Sequence, residues 1–283
     1  MSQEAVDDLI QLLDLEPIEV NIFRGISPKE DRQRMFGGQV AGQALVAAAR
    51  TAGEDRSVHS LHSYFLRPGD PTVPVLYQVD RIRDGKSFTT RRVVAIQHGR
   101  AIFNLSASFQ VPEEGFEHAA EMPDTPPPDE IPRWDERMAA LADRFPEVTR
   151  PRPIEIRHVD HGPLERSPGL PPNQRVWLRA TGRLPDDPVL HTIVLTYASD
   201  MTLLDTSLLP HGSGWFQGGL FMASLDHAVW FHRPFRADDW LLYVQDSPSA
   251  SGGRGLSRGM VFTQDGRLVA SVMQEGVIRK LRS

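Results

Sequence analysis

The sequence predicts an α+β protein of two tandem units, each with an antiparallel sheet wrapped around a long helix. Three observations predict this fold: a weak internal repeat, the same order of helix and strands in both halves, and a proline-rich stretch between them. If the two units pair side by side, one continuous sheet can bury both helices.

The repeat consists of three short matches at nearly one spacing. The matched segments are 65–68 with 231–234, 76–77 with 242–243, and 97–100 with 264–267. The first two pairs are 166 residues apart and the third pair is 167 residues apart. Matches in register over this length predict two copies of one supersecondary unit.

The N-terminal copy begins with a helix at about 38–52, where Val40, Ala44 and Ala48 recur at helical spacing. Turn-forming pairs such as Asp84-Gly85 and His98-Gly99 separate the strand-like segments that follow. These strands are expected at about 58–66, 73–83, 88–98 and 100–111.

The C-terminal copy has the same order, with a helix at about 188–204. Its strands are expected at about 221–232, 240–246, 257–263 and 267–279. Clustered prolines disfavour regular structure between the copies, apart from a short helix at about 134–144. We therefore expect an N-terminal unit at 1–122, a proline-rich linker at 123–153 and a C-terminal unit at 154–283.

Composition limits the classes of function. A net charge of −6 with a pI near 5.9 argues against general nucleic-acid binding. The absence of cysteine excludes disulfides, a thiol nucleophile and thiolate metal sites. No apolar run approaches the roughly 18 residues of a membrane helix, and residues 1–8 lack the basic start of a secretory signal. We expect no nucleic-acid partner, no membrane insertion and a cytoplasmic location.

Asp200 interrupts the apolar stripe of the second predicted helix. The stripe consists of Val189, Ile193, Tyr197 and Leu204. A carboxylate on a buried stripe is costly unless it is hydrogen-bonded or functional. The alternative is that Ser199-Asp200 caps a further short helix that starts at Met201. Periodicity alone leaves both interpretations open.

Gln274 is the polar exception on one face of the last predicted strand. The other members of that face are Leu268, Ala270, Val272, Gly276 and Ile278. A buried amide needs hydrogen-bond partners, and the alternative to a functional role is a structural bond to the helix backbone. Ser224, expected on a strand face with Met222 and Asp226, indicates little by itself.

Other catalytic arrangements have less support. The sequences Gly-x-Ser-x-Gly and His-Glu-x-x-His do not occur. Strand alternation would place Ser224 and Asp226 on one face and His227 on the other, which disfavours a Ser-His-Asp triad. The segment His158-x-Asp160-His161 lacks a further ligand nearby, which disfavours a metal site.

Several segments carry a resemblance to a known family. Segments 36–44 and 58–69 resemble the N-terminal half of the type II acyl-CoA thioesterases (TesB-like), and segments 197–200, 226–234 and 269–276 resemble the C-terminal half. The matching segments occur in the family's order and extend over nearly the whole chain. The resemblance implies a double-hotdog fold, hydrolysis of fatty acyl-CoA to fatty acid and CoA, no cofactor, and assembly as a homo-oligomer.

The resemblance also implies a catalytic set of Asp, Thr or Ser, and Gln. Asp200 matches the Asp, Ser224 takes the hydroxyl position and Gln274 matches the Gln. Asp200 would act on the attacking water, with Ser224 and Gln274 holding the geometry. His59 falls in the N-terminal motif and is expected to be structural or accessory.

Helix physics and composition suggest the rest of the site. Backbone N–H groups at 37–39 are candidates for stabilising the oxyanion, and an apolar tunnel between the helices and the linker would hold the acyl chain. The CoA phosphates could contact arginines, although strand arginines are more often solvated. The arginines considered are Arg91, Arg92, Arg254 and Arg258.

Two rival functions fit the sequence less well. A hotdog hydratase pairs an Asp with a His about five residues further on, whereas the next histidine after Asp200 is His211. A non-catalytic acyl-CoA binder would not need Asp200, Ser224 and Gln274 together. Both rivals are therefore disfavoured.

Overall fold

The structure is a computed structural model that describes residues 3–27, 33–143, 148 and 150–281. Its α-helices in this part of the chain are α1 Gln3–Leu13, α2 Gly37–Ala49, α3 Trp134–Met138 and α4 Pro188–Ser199. The strands of the first half are β1 Leu15–Glu19, β2 Ile22–Gly25, β3 Ser57–Phe65, β4 Val75–Asp84, β5 Phe88–Gln97 and β6 Arg100–Gln110. Those of the second half are β7 Ile154–His158, β8 Asn173–Ala180, β9 Leu220–Ser224, β10 Asp226–Phe231, β11 Leu241–Ser251, β12 Arg254–Thr263 and β13 Leu268–Lys280.

One antiparallel sheet runs through both halves of the described chain. Its strand order is β1-β2-β4-β5-β6-β3-β10-β13-β12-β11-β8-β7, and β9 pairs with β13 off this path. The halves join where β3 pairs with β10, with Leu61 opposite Val229. The prediction of one continuous sheet is therefore confirmed. The boundaries at 1–122, 123–153 and 154–283 stay a prediction.

Helices α2 and α4 pack against each other within the main core. Helix α2 is almost wholly buried, because its small Ala and Gly residues leave room for neighbouring backbone. A Cβ on Gly38 would lie only 2.3 Å from the Tyr197 carbonyl oxygen, so α4 approaches at a distance that glycine alone permits. Helix α4 begins at Pro188, and the Asp187 side chain caps it by accepting the Val189 N–H at 2.9 Å.

The prediction of one unbroken strand at 221–232 was wrong. Ser224 lies opposite Gly276 of β13, and Ala228 lies opposite Met273 of β13. The chain therefore advances four residues from Ser224 to Ala228 while β13 advances only three. One extra residue forms a bulge between β9 and β10, and a bulge reverses the alternation of faces. As a result Ser224 lies on the helix side of the sheet, the side that also buries His227.

Several elements had not been predicted. Helix α1 and strands β1 and β2 precede the first predicted helix, and β7 and β8 precede α4. The Gln3 side chain exchanges two hydrogen bonds with the Arg183 backbone, so α1 reaches the C-terminal half. The short helix expected at 134–144 is α3 followed by a 3-10 turn at Ala139–Leu141, and its last residue lies outside the described residues. No helix of the described chain is long and apolar enough to cross a membrane.

Candidate active site

Asp200 directly follows the last turn of α4 and receives hydrogen bonds from three other elements. Its Oδ1 accepts from Gln274 Nε2 at 2.5 Å and from Ser224 Oγ at 3.1 Å. The carboxylate also accepts from the backbone N–H of Gly38. These donors belong to β13, β9 and α2, so the carboxylate serves a tertiary cluster and not the cap of a following helix.

Gln274 links the other two members of the cluster. Its Nε2 donates to Ser224 Oγ at 3.0 Å as well as to Asp200, so the three predicted residues form one closed set of hydrogen bonds. The side chain is fully buried, and its Oε1 has no hydrogen-bond partner among the described residues. The partners of Gln274 are therefore side chains, whereas the structural alternative had predicted helix backbone.

The environment of Asp200 shifts its acidity toward neutral pH. Burial raises the pKa of Asp200 from 3.8 to about 6, because a carboxylate removed from water loses solvation. The hydrogen bonds from Gln274, Ser224 and Gly38 act in the opposite direction, since they stabilise the charged form. The resulting carboxylate is ionised at pH 7 and is basic enough to accept a proton.

The start of α2 explains the two glycines at 37 and 38. A Cβ on Gly37 would lie 2.7 Å from Asp200 Oδ2 and 2.9 Å from the Phe65 ring. The first N–H groups of a helix have no acceptor within the helix, and here the N–H of Gly38 donates to Asp200. Of the N–H groups at 37–39 that are candidates for the oxyanion, the one of Gly38 is therefore already engaged by Asp200.

A cavity of about 590 Å³ opens beside Asp200. Its wall includes Gly37 and Val40 from α2, Tyr197 from α4, and Trp134 from α3. Ser224 also reaches the cavity. The sequence predicted an apolar cavity between the two helices and the linker. The cavity found here is bordered by Asp200, so an apolar chain bound in it would lie beside the carboxylate.

Comparison with known proteins identifies the family. A model of the acyl-CoA thioesterase family matches residues 155–277, and a model of the acyl-CoA thioesterase N-terminal domain matches residues 27–110. Human acyl-coenzyme A thioesterase 8 is 45% identical over 283 residues, which cover 95% of this chain and 88% of that protein. The chain belongs to the acyl-CoA thioesterase family.

Further relatives agree with this assignment. Acyl-CoA thioesterase 2 of Haemophilus influenzae is 41% identical to this thioesterase, with 98% of each chain covered. The crystal structure of acyl-CoA thioesterase II TesB2 from Mycobacterium marinum is 49% identical, covers 96% of this chain and 98% of its own, and has a TM-score of 0.82. An Alicyclobacillus acidocaldarius protein described as having a hot dog fold is 20% identical with a TM-score of 0.79, over 97% and 99% of the chains. The fold is the double hotdog, and the protein is a thioester hydrolase.

His227 is a residue of this thioesterase whose place in the site the sequence did not reveal. It is fully buried, and its Nε2 lies 2.8 Å from Ser199 Oγ, next to Asp200 in the chain. Burial lowers the pKa of His227 to about 4, so its imidazole is neutral at pH 7. Its partner is Ser199 and not Ser224, which agrees with the preference against a triad. The argument from strand alternation was wrong, however, because the bulge brings Ser224 and His227 to one face.

The arginines considered for CoA binding are engaged elsewhere in the thioesterase. Arg91 is buried and pairs with Asp84 at 2.5 Å. The other three form exposed ion pairs on the sheet, namely Arg92 with Asp80, Arg254 with Glu275 and Arg258 with Asp246. None of the four lines the cavity. The three exposed pairs agree with the solvated sheet face that the sequence favoured over CoA contacts.

Two histidine positions from the sequence lie apart from the Asp200 cluster. His59 Nε2 is 2.8 Å from Ser108 Oγ, and its ring packs on Phe88, so its contacts are with neighbouring strands of the sheet. His158 lines the cavity, and burial near Arg166 lowers its pKa to about 3. The described residues contain no group of three His, Cys, Asp or Glu that could hold a metal ion.

Proposed function

We propose that the protein hydrolyses acyl-CoA thioesters to CoA and a carboxylic acid by direct attack of water, with Asp200 as general base. The observation that carries the proposal is a partly buried carboxylate with a pKa of about 6 that borders a cavity and is held by Gln274 and Ser224. A base with a pKa near the working pH combines ionisation with proton affinity.

The two oxygens of Asp200 have different surroundings. Oδ1 accepts from both Gln274 and Ser224 and is therefore engaged in orienting the carboxylate. Oδ2 faces the start of α2 at Gly37, a residue of the cavity wall. We assign Oδ2 as the atom that takes a proton from the attacking water, and Ser224 and Gln274 as residues that hold it in position.

The reaction balances without any other group. Asp200 accepts one proton as the water oxygen forms a bond to the thioester carbonyl carbon, and the carbonyl oxygen becomes an oxyanion. Collapse of the tetrahedral intermediate breaks the C–S bond, and the protonated Asp200 returns its proton to the leaving sulfur. A carboxylic acid and the free thiol of CoA result.

The oxyanion needs a preorganised donor. The first helical hydrogen bond of α2 joins the Val40 N–H to the Phe36 carbonyl, so the N–H of Gly37 precedes the helical ladder. Gly37 also lines the cavity, and the positive end of the helix dipole lies there. Of the candidates at 37–39, we assign the Gly37 N–H to the oxyanion.

A labelled single turnover tests the mechanism. Excess purified enzyme and acyl-CoA are mixed in ¹⁸O-water, free thiol is measured, and the acid and the Asp200 peptide are analysed by mass spectrometry. Direct attack predicts thiol release with one ¹⁸O atom in the acid from the first turnover. First-turnover acid without ¹⁸O, or ¹⁸O within Asp200, would show that Asp200 is a nucleophile and not a base.

The same assay separates the rival functions. A hydratase would consume an enoyl-CoA without releasing thiol, and a binding protein would release none. In the structure, Asp200 is bonded to Ser224, Gln274 and Gly38, whereas the nearby His227 bonds Ser199. This arrangement supports hydrolysis over an Asp–His hydratase. Homo-oligomeric assembly and a cytoplasmic location stay predictions.

A further inference from the structure

Three arginines line the cavity beside Asp200, and Arg152, the third besides Arg34 and Arg67, lies over the Trp134 ring. Arg34 precedes α2 by three residues, and Arg67 follows the end of β3. Both side chains belong to the cavity wall. The two segments are joined directly, because the Met35 N–H donates to the Gly69 carbonyl at 3.0 Å.

Backbone contacts fix the position of each guanidinium. Arg34 Nη2 donates to the Met222 carbonyl at 2.8 Å, and the guanidinium lies 5.2 Å from the Phe221 ring centroid. Arg67 Nη1 donates to the Ala101 carbonyl at 2.6 Å. An arginine has five N–H donors, so these contacts orient the groups and leave further donors for a ligand.

Neither arginine has a carboxylate partner among the described residues. This contrasts with Arg92, Arg254 and Arg258, each of which forms an ion pair with an acid on a neighbouring strand. Because the protein carries a net charge of −6, an anionic substrate is repelled overall and needs a local positive site. Two uncompensated cations at the edge of an active-site cavity are such a site.

The arginines lie within reach of a ligand that also contacts Asp200. Gly37 is the third residue after Arg34, so their Cα atoms are at most roughly 11 Å apart. Gly37 in turn lies beside Asp200, since a Cβ on Gly37 would be 2.7 Å from Asp200 Oδ2. One extended molecule can therefore place a reacting carbonyl at Asp200 and a phosphate at the arginines.

We propose that Arg34 and Arg67 bind the phosphate groups of the CoA moiety at the cavity entrance, a site that rests on the proposed thioesterase function. Guanidinium and phosphate form charge-assisted, often bidentate hydrogen bonds. The pantetheine arm then leads from the phosphates into the cavity toward Asp200, and the acyl chain continues beyond it.

The test compares two thioesters of the same acyl chain, one on CoA and one on pantetheine, which lacks the phosphates. Arg34→Gln and Arg67→Gln remove a cation and retain an amide donor. Each should reduce the ratio of kcat/KM for the CoA thioester to that for the pantetheine thioester about tenfold, the lower end of the loss for one charged hydrogen bond. The effect should appear in KM, and added salt should reduce the preference of the wild type for the CoA thioester.

The matched control is Arg92→Gln, which removes an exposed arginine of the sheet that pairs with Asp80 and should leave the ratio unchanged. Equal losses on both thioesters, or no loss on either, would overturn the phosphate site. Calorimetric titration with free CoA separates this site from the catalytic proposal, because it needs no turnover. Weaker CoA binding in Arg34→Gln and Arg67→Gln supports the site even if Asp200 is not the base, and unchanged binding overturns it.

Discussion

The Asp200 carboxylate is held between two opposing effects. Burial disfavours its charge and raises its pKa to about 6, whereas three hydrogen bonds favour the charge. Neither effect alone would give a useful base, since full desolvation would keep the group protonated and strong hydrogen bonding alone would make it a weak base. Together, burial and the three hydrogen bonds give Asp200 a pKa of about 6, near the working pH of a general base.

This balance predicts the pH dependence of catalysis. The base must be ionised, so kcat/KM should fall as the pH drops below about 6. The fall should follow the protonation of one group, the Asp200 carboxylate. His227, with a pKa of about 4, and His158, at about 3, titrate too low to cause such a limb. Initial rates of thiol release between pH 4 and 8 measure this acid limb of the kcat/KM profile. A limb near pH 4, the ordinary value for a solvated Asp, would contradict the assigned environment.

A second prediction concerns Ser224 and Gln274. Ser224→Thr should retain most activity because the hydroxyl remains, whereas Ser224→Ala and Gln274→Ala should each lose it. Residues that act on one group are not additive, so adding Asp200→Asn to either alanine variant should cost little more. Steady-state kinetics on the single and double variants check this. Fully multiplicative losses would show that the three residues act separately.

Asp200 and Gln274 stand out in the sequence because each interrupts an apolar face, but their roles were implied only by the family resemblance. The sequence could not show that the two side chains bond each other, since 74 positions separate them along the chain. Ser224 was placed by family resemblance, while its predicted strand face was wrong. A bulge of one residue leaves almost no trace in hydropathy but reverses the face of every residue beyond it.

At the scale of elements, the start of α2 does more than cover the core. Its first turn brings the Gly38 N–H to Asp200, and Gly37 leaves space for Oδ2. The close packing of α2 on α4 depends on Gly38, where any side chain would strike the Tyr197 carbonyl. The two long helices are therefore positioned so that the beginning of one meets the end of the other at the candidate base.

A methyl group at position 37 should disturb that meeting point. Gly37→Ala would place its Cβ 2.7 Å from Asp200 Oδ2, so the carboxylate or the helix must shift. A shift of about 1 Å can cost roughly 10²-fold in rate, and we expect kcat to fall by about ten- to a hundredfold. Gly115→Ala is the matched control, because a Cβ there meets nothing within 4 Å. Normal turnover by Gly37→Ala would contradict the placement of α2.

Most long elements were predicted well, but helix α1 was missed although it has 11 residues and its buried Val6, Leu9 and Leu13 recur at helical spacing. Helix α2 and strands β3 to β6 lie within a few residues of their predicted positions, because alternation and turn residues mark them clearly. Strand β7 has only five residues; its sequence alternates from Ile154 to Arg157, but so short a run was not recognised, and all five residues are buried. Strands β1 and β2 form a short edge hairpin, which is equally difficult to recognise from the sequence.

At the scale of the whole molecule, the two halves depend on each other. Strand β3 pairs with β6 on one side and with β10 of the other half on its second side. Helix α2 is buried partly by α4, and Asp200 from one half is completed by Gly38 from the other. The candidate site therefore exists only when both halves are folded together.

A fragment of residues 1–125 tests this dependence. It would expose the β10-facing edge of β3 and the apolar face of α2 that packs on α4, so we expect insoluble or molten material. Size-exclusion chromatography, near-ultraviolet circular dichroism and thermal melting of fragment and full chain check it. A monomeric fragment that unfolds cooperatively would contradict the view that the halves form a single folding unit.

The measurement that tests the central claim most directly is made on Asp200→Asn. The change keeps the shape of the side chain and removes its charge, so kcat should fall by about 10²–10⁴-fold if Asp200 is the base. The melting temperature of the variant should stay near that of the wild type or rise, and the difference should grow between about pH 4 and pH 6 and then level off. The reason is that a buried carboxyl with a raised pKa loses stability as the pH rises through about 6. A purely structural carboxylate predicts a nearly silent substitution, and near-normal hydrolysis of acyl-CoA by Asp200→Asn would contradict the account.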